Sequence, residues 1–491
     1  MNKESFKAEV FFYTAFLFIC AFILLQSPLA PFAKSGNGSD SSVFIYSAQQ
    51  MLKGQIIYKD IVDHKGLFLY FINVAALFVF NGKLIGIWIF EVISLFVASI
   101  MMYKTARFFA GKISSFFAVV TAIFFLVEVL SWGNHTEEWA LPYISIAMYI
   151  FLAYLKENKP LTVVRLFILS LTFVLVFMIR ANIAAIWAGF GIALLIKWII
   201  EKKYKELIRN LSFILLFVWL SLVPFFLYLY FKDALSEAVY LIFKFNMFEY
   251  EQNPVLFTLK RCIKILTGFY FLSIIPVIII TYMFYRNKTV INGGVLLAFI
   301  FTALACSLGR RYEHYFIIFA PLLVIPYSYI FNVVKESVPK AKYALLFILF
   351  IFYNYNSATI HAQNILSNYS ESGYDVGELS PQTRAKLKEI IAKNSNPSDK
   401  ILVKGNQASV YLYSGRSCAT KFPFPLMKSS LAEKQYVKEA EEALPELIFQ
   451  GDIVNSLELD CFSLDSLLNE KYRLLPTEIV GLEVWKLRTD R

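Results

Sequence analysis

Runs of apolar residues close to membrane-spanning length recur from the N-terminus to residue 357, and they restrict the fold more than any other feature of this chain. Phe11–Leu25, Phe213–Phe231 and Ala344–Phe352 belong to such runs, and Phe alone contributes 49 of the 491 residues. A helix of about 20 residues crosses the roughly 30 Å hydrocarbon core of a bilayer. Inside that core each backbone N–H and C=O must be satisfied within the protein, which a helix does by itself. The apolar share of 58% exceeds the roughly 45–50% of soluble domains. The expected fold is a polytopic α-helical membrane protein of about eleven spans. They fall at about residues 10–28, 84–103, 113–130, 139–155, 164–180, 183–200, 211–231, 265–285, 290–308, 316–333 and 341–357.

Lys and Arg beside the spans set the orientation. Short basic loops such as Lys104–Lys112, Lys156–Arg165 and Lys197–Arg209 place themselves and the N-terminus in the cytoplasm. Lys3 and Lys7 precede the Val10–Leu25 run without a small-residue cleavage site, which reads as a retained signal anchor. Eleven spans then put residues 358–491 outside. Residues 1–357 hold 31 Lys/Arg against 18 Asp/Glu, whereas 358–491 hold 16 against 18. The basic surplus therefore belongs to the membrane part, where it suits anionic lipids and phosphate ligands. It is scattered over short loops and forms no continuous stripe, which argues against nucleic acid as a partner.

The first external segment, residues 29–83, is too long for a linker. Val43–Lys53 sets Phe44, Ala48, Met51 and Leu52 at helical spacing, with Gln49, Gln50 and Lys53 elsewhere, and predicts an amphipathic helix lying on the membrane. Leu67–Phe80 is apolar but short, and is predicted interfacial or re-entrant; if it spans, every later loop changes sides. Two domains are expected: a transmembrane domain over 1–357 and an extracytoplasmic α/β domain over 358–491. In the latter, Ser380-Pro381 starts a helix to about Asn394. Ile401–Val403, Leu447–Phe449 and Ile479–Leu487 are predicted strands and Lys428–Ala443 a charged helix. Cys418 and Cys461 lie there and are open to pairing. No glycine-rich phosphate loop occurs.

Polar clusters at the outer ends of the spans are where chemistry is expected, because irregular polar backbone at that depth lines cavities. Asp40 follows Gly36-Asn-Gly-Ser and reads as a helix N-cap, a general base, or both. The segment from Tyr58 to Gly66 packs Asp60, Asp63, His64 and Lys65 into one turn, which as a bland alternative is only a solvated turn. Trp132–Trp139 holds His135, Glu137 and Glu138 at a helix start, where carboxylates also serve the helix dipole. Gly309–Tyr315 carries Arg310, Arg311 and His314, and Arg180 adds a cation among apolar neighbours. Arginine matches phosphate geometry, although paired arginines at a membrane edge also anchor lipid headgroups. All four histidines fall on the outer face of this topology.

The segments Asp40 with its following helix, Tyr58–Tyr70, Thr136–Ala140 and Gly309–Phe316, taken in order, resemble the GT-C fold of polytopic glycosyltransferases that use polyprenyl-phosphate sugars. The similarity is to bacterial relatives of protein O-mannosyltransferases and of the lipid A aminoarabinose transferase. Val403–Gly415 resembles the appended external domain of some members. Two positions depart from the pattern: Ser41 follows Asp40 where many relatives have Glu, and Gly66-Leu67 stands where many have Pro. The expected function is an inverting glycosyltransferase at the outer face of a bacterial plasma membrane; the resemblance implies its polyprenyl-phosphate sugar donor but not its acceptor, which stays open among glycan, lipid and protein. Asp40 would be the catalytic base. Asp60, Asp63, His64, Lys65, His135, Glu137 and Glu138 are substrate-binding candidates, and Arg180, Arg310, Arg311 and His314 donor-phosphate candidates. No cofactor is expected; Asp60, Asp63 and His64 are the residues a cation would use, though relatives of this type do not generally need one. A transporter or flippase of lipid-linked saccharides, or a polymerase, is the alternative. A transporter should carry an internal repeat or paired broken helices, and a polymerase a large polar loop late in the chain.

Overall fold

A computed structural model describes residues 3–130, 132–249, 254–268, 271–308, 312–337, 342–370, 379–424, 430–455 and 463–488. By its contacts the chain divides into two compact units. One comprises Met1–Leu25, Trp88–Leu227 and Glu251–Gln363; the other comprises Gln26–Ile87, Tyr228–Tyr250 and Asn364–Arg491.

Among the described residues, eight helices are long and apolar enough to cross a membrane: Lys7–Gln26, Ile85–Ala106, Thr136–Glu157, Ala181–Ile200, Tyr204–Phe231, Val290–Ser307, Glu313–Ser337 and Tyr343–Tyr369. The spans expected at 113–130, 164–180 and 265–285 fall on shorter apolar helices, Lys112–Leu126, Val163–Phe177 and Ile274–Arg286. The last long helix continues past the expected end at 357, through His361, whose Nε2 lies 3.1 Å from the Phe22 carbonyl oxygen. Outward faces are apolar. Along Tyr204–Phe231, Trp219 is 64% exposed and Phe231 77%, a pattern suited to lipid and not to water. The first unit packs around Thr136–Glu157, the most buried of the eight helices. Where the Ala185–Ile200 and Val290–Ser307 helices cross, a Cβ on Gly189 would meet the Ala298 backbone at 2.5 Å and one on Gly294 the Ala193 side chain at 2.9 Å. Small residues let the two backbones approach, the usual device of helix packing in lipid.

The second unit begins with a helix at Ser39–Leu52, earlier than the expected Val43 start. Its burial corrects the amphipathic reading. Ser42, Tyr46, Ser47 and Gln50 are buried together with Phe44 and Ala48, while Leu52 is exposed, so protein covers both faces. Tyr46 explains part of this: its hydroxyl accepts the Cys418 N–H at 2.8 Å and its ring lies 5.1 Å from that of Tyr411. The Asn37 N–H donates to the Tyr413 hydroxyl at 3.1 Å, and the Val62 N–H to the Lys421 carbonyl at 2.7 Å. The Leu67–Val79 helix has 13 residues, about 20 Å at 1.5 Å per residue, short of a bilayer core.

Among the described residues the tail contributes five strands, β1 Lys400–Val403, β2 Ser417–Cys418, β3 Leu447–Gln450, β4 Tyr472–Leu475 and β5 Glu483–Leu487, ordered β2-β1-β3-β5-β4. β1 runs parallel to β2 and β3, while β5 is antiparallel to β3 and β4. The Pro381–Asn394 helix starts as expected, with Ser380 Oγ accepting the Thr383 N–H at 3.1 Å. The final strand begins at Glu483 and not Ile479, because Gly481 turns the chain at φ +76°. Cys418 is buried and free; Cys461 lies outside the described residues.

Candidate functional site

Most of the candidate residues that the structure describes gather into two clusters, one in each unit. In the second unit the N-cap of the Ser39–Leu52 helix is Gly38, not Asp40, because the extended-to-helical switch already occurs at Gly38 (ψ 155°). Asp40 sits in the first turn, half-buried, where its charge opposes the positive end of the helix dipole. Its side chain is therefore not consumed by the cap. It acts electrostatically on Asp63 and Tyr70, which places the three in one neighbourhood.

Asp63 and His64 are buried, and the His64 N–H donates to Asp63 Oδ1 at 2.6 Å. Burial pushes the Asp63 carboxyl above its ordinary range and Asp40 adds to the push; Lys65, the Tyr70 hydroxyl and the His64 N–H oppose it. Lys65 Nζ lies 2.7 Å from His64 Nε2. The turn holding these residues is strained. Tyr58, fully buried, has φ +74°, a region that costs a bulky residue about 1–3 kcal/mol. It is held by its N–H on the Ile61 carbonyl at 2.8 Å and its hydroxyl on the Lys65 carbonyl at 2.7 Å. Asn246, on a π-helical segment Tyr240–Glu249, donates to the His64 carbonyl at 2.9 Å, while Phe245 stacks on the His64 ring. Asp60 departs from the group: it is exposed, and its carboxylate accepts the Ile56 N–H at 2.8 Å as a turn residue. Among the described residues no three His, Cys, Asp or Glu side chains are placed to hold a metal ion, Asp60, Asp63 and His64 included.

In the first unit the chain turns through Gly133 (φ +74°) and Asn134 (φ +55°) into the Thr136–Glu157 helix, with His135 at the N-cap. Glu137 and Glu138 are each 2% exposed. Glu137 Oε1 accepts Arg180 Nη1 at 2.6 Å, and its Oε2 accepts the Thr136 hydroxyl at 2.7 Å. Arg180 is therefore charge-paired, and the expectation that its neighbours are all apolar is corrected by the approach of this helix start. Its guanidinium also lies 4.3 Å over the Tyr315 ring. Glu138 accepts the His135 N–H in a long 3.5 Å bond. The His135 and His314 rings stack at 4.4 Å, and the Tyr312 ring stacks on that of His314 at 5.3 Å. Arg310 and Arg311 lie outside the described residues.

Sequence reasoning missed three residues that build these clusters. Glu91, fully buried, accepts the Asn134 N–H at 2.5 Å, and Asn134 Oδ1 accepts the Trp139 indole N–H at 2.8 Å. It is the sole carboxylate in the Ile85–Tyr103 run, and a charge inside an apolar run is itself a functional signal. Tyr70 and Asn246 carried no signal of that kind.

Comparison with solved structures finds ArnT from Cupriavidus metallidurans in the apo state, with a TM-score of 0.60 and 11% identity over 98% of each chain. The same protein bound to undecaprenyl phosphate gives 0.59, with 11% identity over 97% of each chain. The archaeal oligosaccharyltransferase AglB from Archaeoglobus fulgidus, in complex with an inhibitory peptide and a dolichol-phosphate, gives 0.51 at 12% identity, over 98% of this chain and 75% of that one. Both proteins are GT-C glycosyltransferases, and the likeness in fold meets the resemblance drawn from the motifs. Comparison with curated proteins finds no match. The competence-induced Ccs4 N-terminal domain family matches residues 2–343, more than two-thirds of the sequence, and the chain belongs to that family.

Proposed function

We propose that this protein is an inverting GT-C glycosyltransferase that moves a sugar from a polyprenyl-phosphate donor to an acceptor hydroxyl at the outer face of a bacterial plasma membrane. The donor class rests on the two solved structures of like fold, one bound to undecaprenyl phosphate and one in complex with a dolichol-phosphate. The observation that carries the reading in this chain is the placement of Asp40: half-buried at a helix start, not engaged as the cap, and beside the buried Asp63. Two carboxyls in unlike surroundings suit unlike roles. Asp40 takes the proton of the acceptor hydroxyl as that oxygen bonds to the anomeric carbon. The bond from that carbon to the phosphate oxygen breaks, and the lipid phosphate leaves as an anion. Asp63, fixed by the His64 N–H, orients the neighbouring turn, and Lys65 offers its cation to the substrate. Arg310, Arg311 and His314 are proposed for the leaving phosphate; electrostatic support of that kind often supplies most of an enzyme's rate enhancement.

The test is sugar transfer by the purified full-length chain supplied with labelled undecaprenyl-phosphate sugars and candidate acceptors. Asp40→Asn should lower turnover by about 10²–10⁴-fold with the fold retained, since Asp40 makes no capping bond and its charge at the helix start is worth only about 0.3–1 kcal/mol. Activity retained within about tenfold would remove Asp40 from the chemistry. Absence of transfer from any polyprenyl-phosphate sugar would overturn the whole reading.

A further inference from the structure

We propose that the first unit carries a second anion site, a pocket for the phosphate headgroup of an anionic membrane lipid, at the end of the helices away from His135 and Glu137. A cavity of about 280 Å³ opens there, lined among others by Lys156, Arg286, Tyr282, Tyr329, Met283 and Ile291. Lys156 stands in the last turn of the Thr136–Glu157 helix and Arg286 ends the Phe271–Arg286 helix. Lys156 lies 19 residues after Glu137, which at 1.5 Å per residue separates this cavity from the Arg180–Glu137 pair by about 30 Å.

The lining chemistry selects the ligand. Two cations face the cavity, and among the described residues no carboxylate lines it. Glu157 acts on the neighbouring Lys156 electrostatically, but its carboxylate is ion-paired with Lys159. Each cation is held by neutral groups. Lys156 Nζ donates to the Phe108 carbonyl and lies 4.3 Å over the Phe109 ring. Arg286 Nη1 donates to the Tyr282 hydroxyl at 3.2 Å. Fixed cations beside phenol donors match a phosphate, which accepts several charge-assisted bonds at once. Met283 and Ile291 supply an apolar wall on which an acyl chain can lie. The turn below them is braced by Asn292, whose amide donates to the Met283 and Asn287 carbonyls at 3.0 and 2.9 Å. In the topology read from the basic loops this end is cytoplasmic, the leaflet where anionic headgroups and basic pockets between spans meet. The proposal does not depend on sugar transfer.

The test uses the full-length protein in nanodiscs of phosphatidylcholine alone, or of equimolar phosphatidylcholine and phosphatidylglycerol. Lipid retained after extraction into detergent is counted by native mass spectrometry. Wild type should retain phosphatidylglycerol over phosphatidylcholine. The double variant Lys156→Gln, Arg286→Gln should bind phosphatidylglycerol about thirtyfold more weakly, equivalent to about 1 kcal/mol for each cation. The exchange Lys156→Arg, Arg286→Lys keeps both charges and should stay near wild type, and Lys393→Gln in the tail should change nothing. Melting temperatures show whether each variant is folded; should the Gln pair not fold, the lipid preference of wild type and of the exchange variant decides. Equal retention of both lipids, or undiminished phosphatidylglycerol binding in the folded Gln pair, overturns the site. A separate arm adds inorganic phosphate in phosphatidylcholine nanodiscs. Stabilisation by phosphate that phosphatidylglycerol does not compete away would overturn the lipid as its source.

Discussion

Replacing Arg180 with Gln strips Glu137 of the guanidinium that faces it at 2.6 Å, and the consequence can be worked from the burial of the pair. The Glu137 side chain is 2% exposed and that of Arg180 16%, so neither charge is well served by water. Removing one partner of a buried ion pair costs about 3–5 kcal/mol, because the survivor is left charged and desolvated. Here the Thr136 hydroxyl still donates to Glu137, and Arg180 is not fully enclosed, so we expect the lower end, about 3 kcal/mol. Glu137→Gln in the Arg180→Gln background removes the stranded charge and should recover about 2 kcal/mol of that loss. The assay is a double-mutant cycle of equilibrium unfolding in mixed micelles, run beside donor binding by the same four proteins. If Arg180 served only a ligand phosphate, Arg180→Gln alone would leave unfolding unchanged and weaken binding. A coupling energy under about 0.5 kcal/mol would refute the structural pairing.

Glu91→Leu should destabilise the fold by about 1 kcal/mol, since it removes one acceptor of the Asn134 N–H while Glu138 still engages that group; Glu91→Gln, whose amide oxygen can still accept, should be milder, and equal losses for both would discount that bond. Asp63 has a raised carboxyl pKa from burial. Between the ordinary carboxylate value and that raised one the folded state holds more protons than the unfolded state, so stability should fall as pH rises through the window. Asp63→Asn should flatten this slope in melts across the acid range, and an unchanged slope would locate the effect elsewhere. Single cysteines at Lys203 and Ser395 should label from opposite sides of the membrane, with 395 external; labelling from one side would mean that Leu67–Val79 spans or that another span is miscounted.

What is legible in the sequence follows from which physical force decides each feature. Long apolar helices are set by composition, so the Tyr204–Phe231 and Val290–Ser307 helices fall where hydropathy places them. β1 and β3 are legible for the same reason, as short runs buried on both faces; β2 has two residues and no such run. The N-cap at Gly38 is a backbone property, and a sequence offering Gly, Ser and Asp in succession does not reveal where the chain turns helical. The tight burial of the Ser39–Leu52 helix depends on Tyr411 and Cys418, more than 350 residues away, which no local periodicity encodes.

The two clusters show the same division at higher resolution. A polar side chain inside an apolar environment announces that a partner exists, because leaving it unpaired costs several kcal/mol. Arg180 and Glu91 both carry that announcement in the sequence, and both have partners: Glu137 for one and the Asn134 N–H for the other. The name of the partner is not announced, since it depends on which helix end lies alongside. Phosphate is the natural first assignment for an arginine among apolar residues, yet a carboxylate brought by the Thr136–Glu157 helix takes Arg180 instead. The same logic runs in the other direction for Lys156 and Arg286. They sit at helix ends, where snorkelling to water satisfies a cation, so nothing in the sequence marks them. It is the shared cavity, with two cations and, among the described residues, no carboxylate in its lining, that turns them into an anion site.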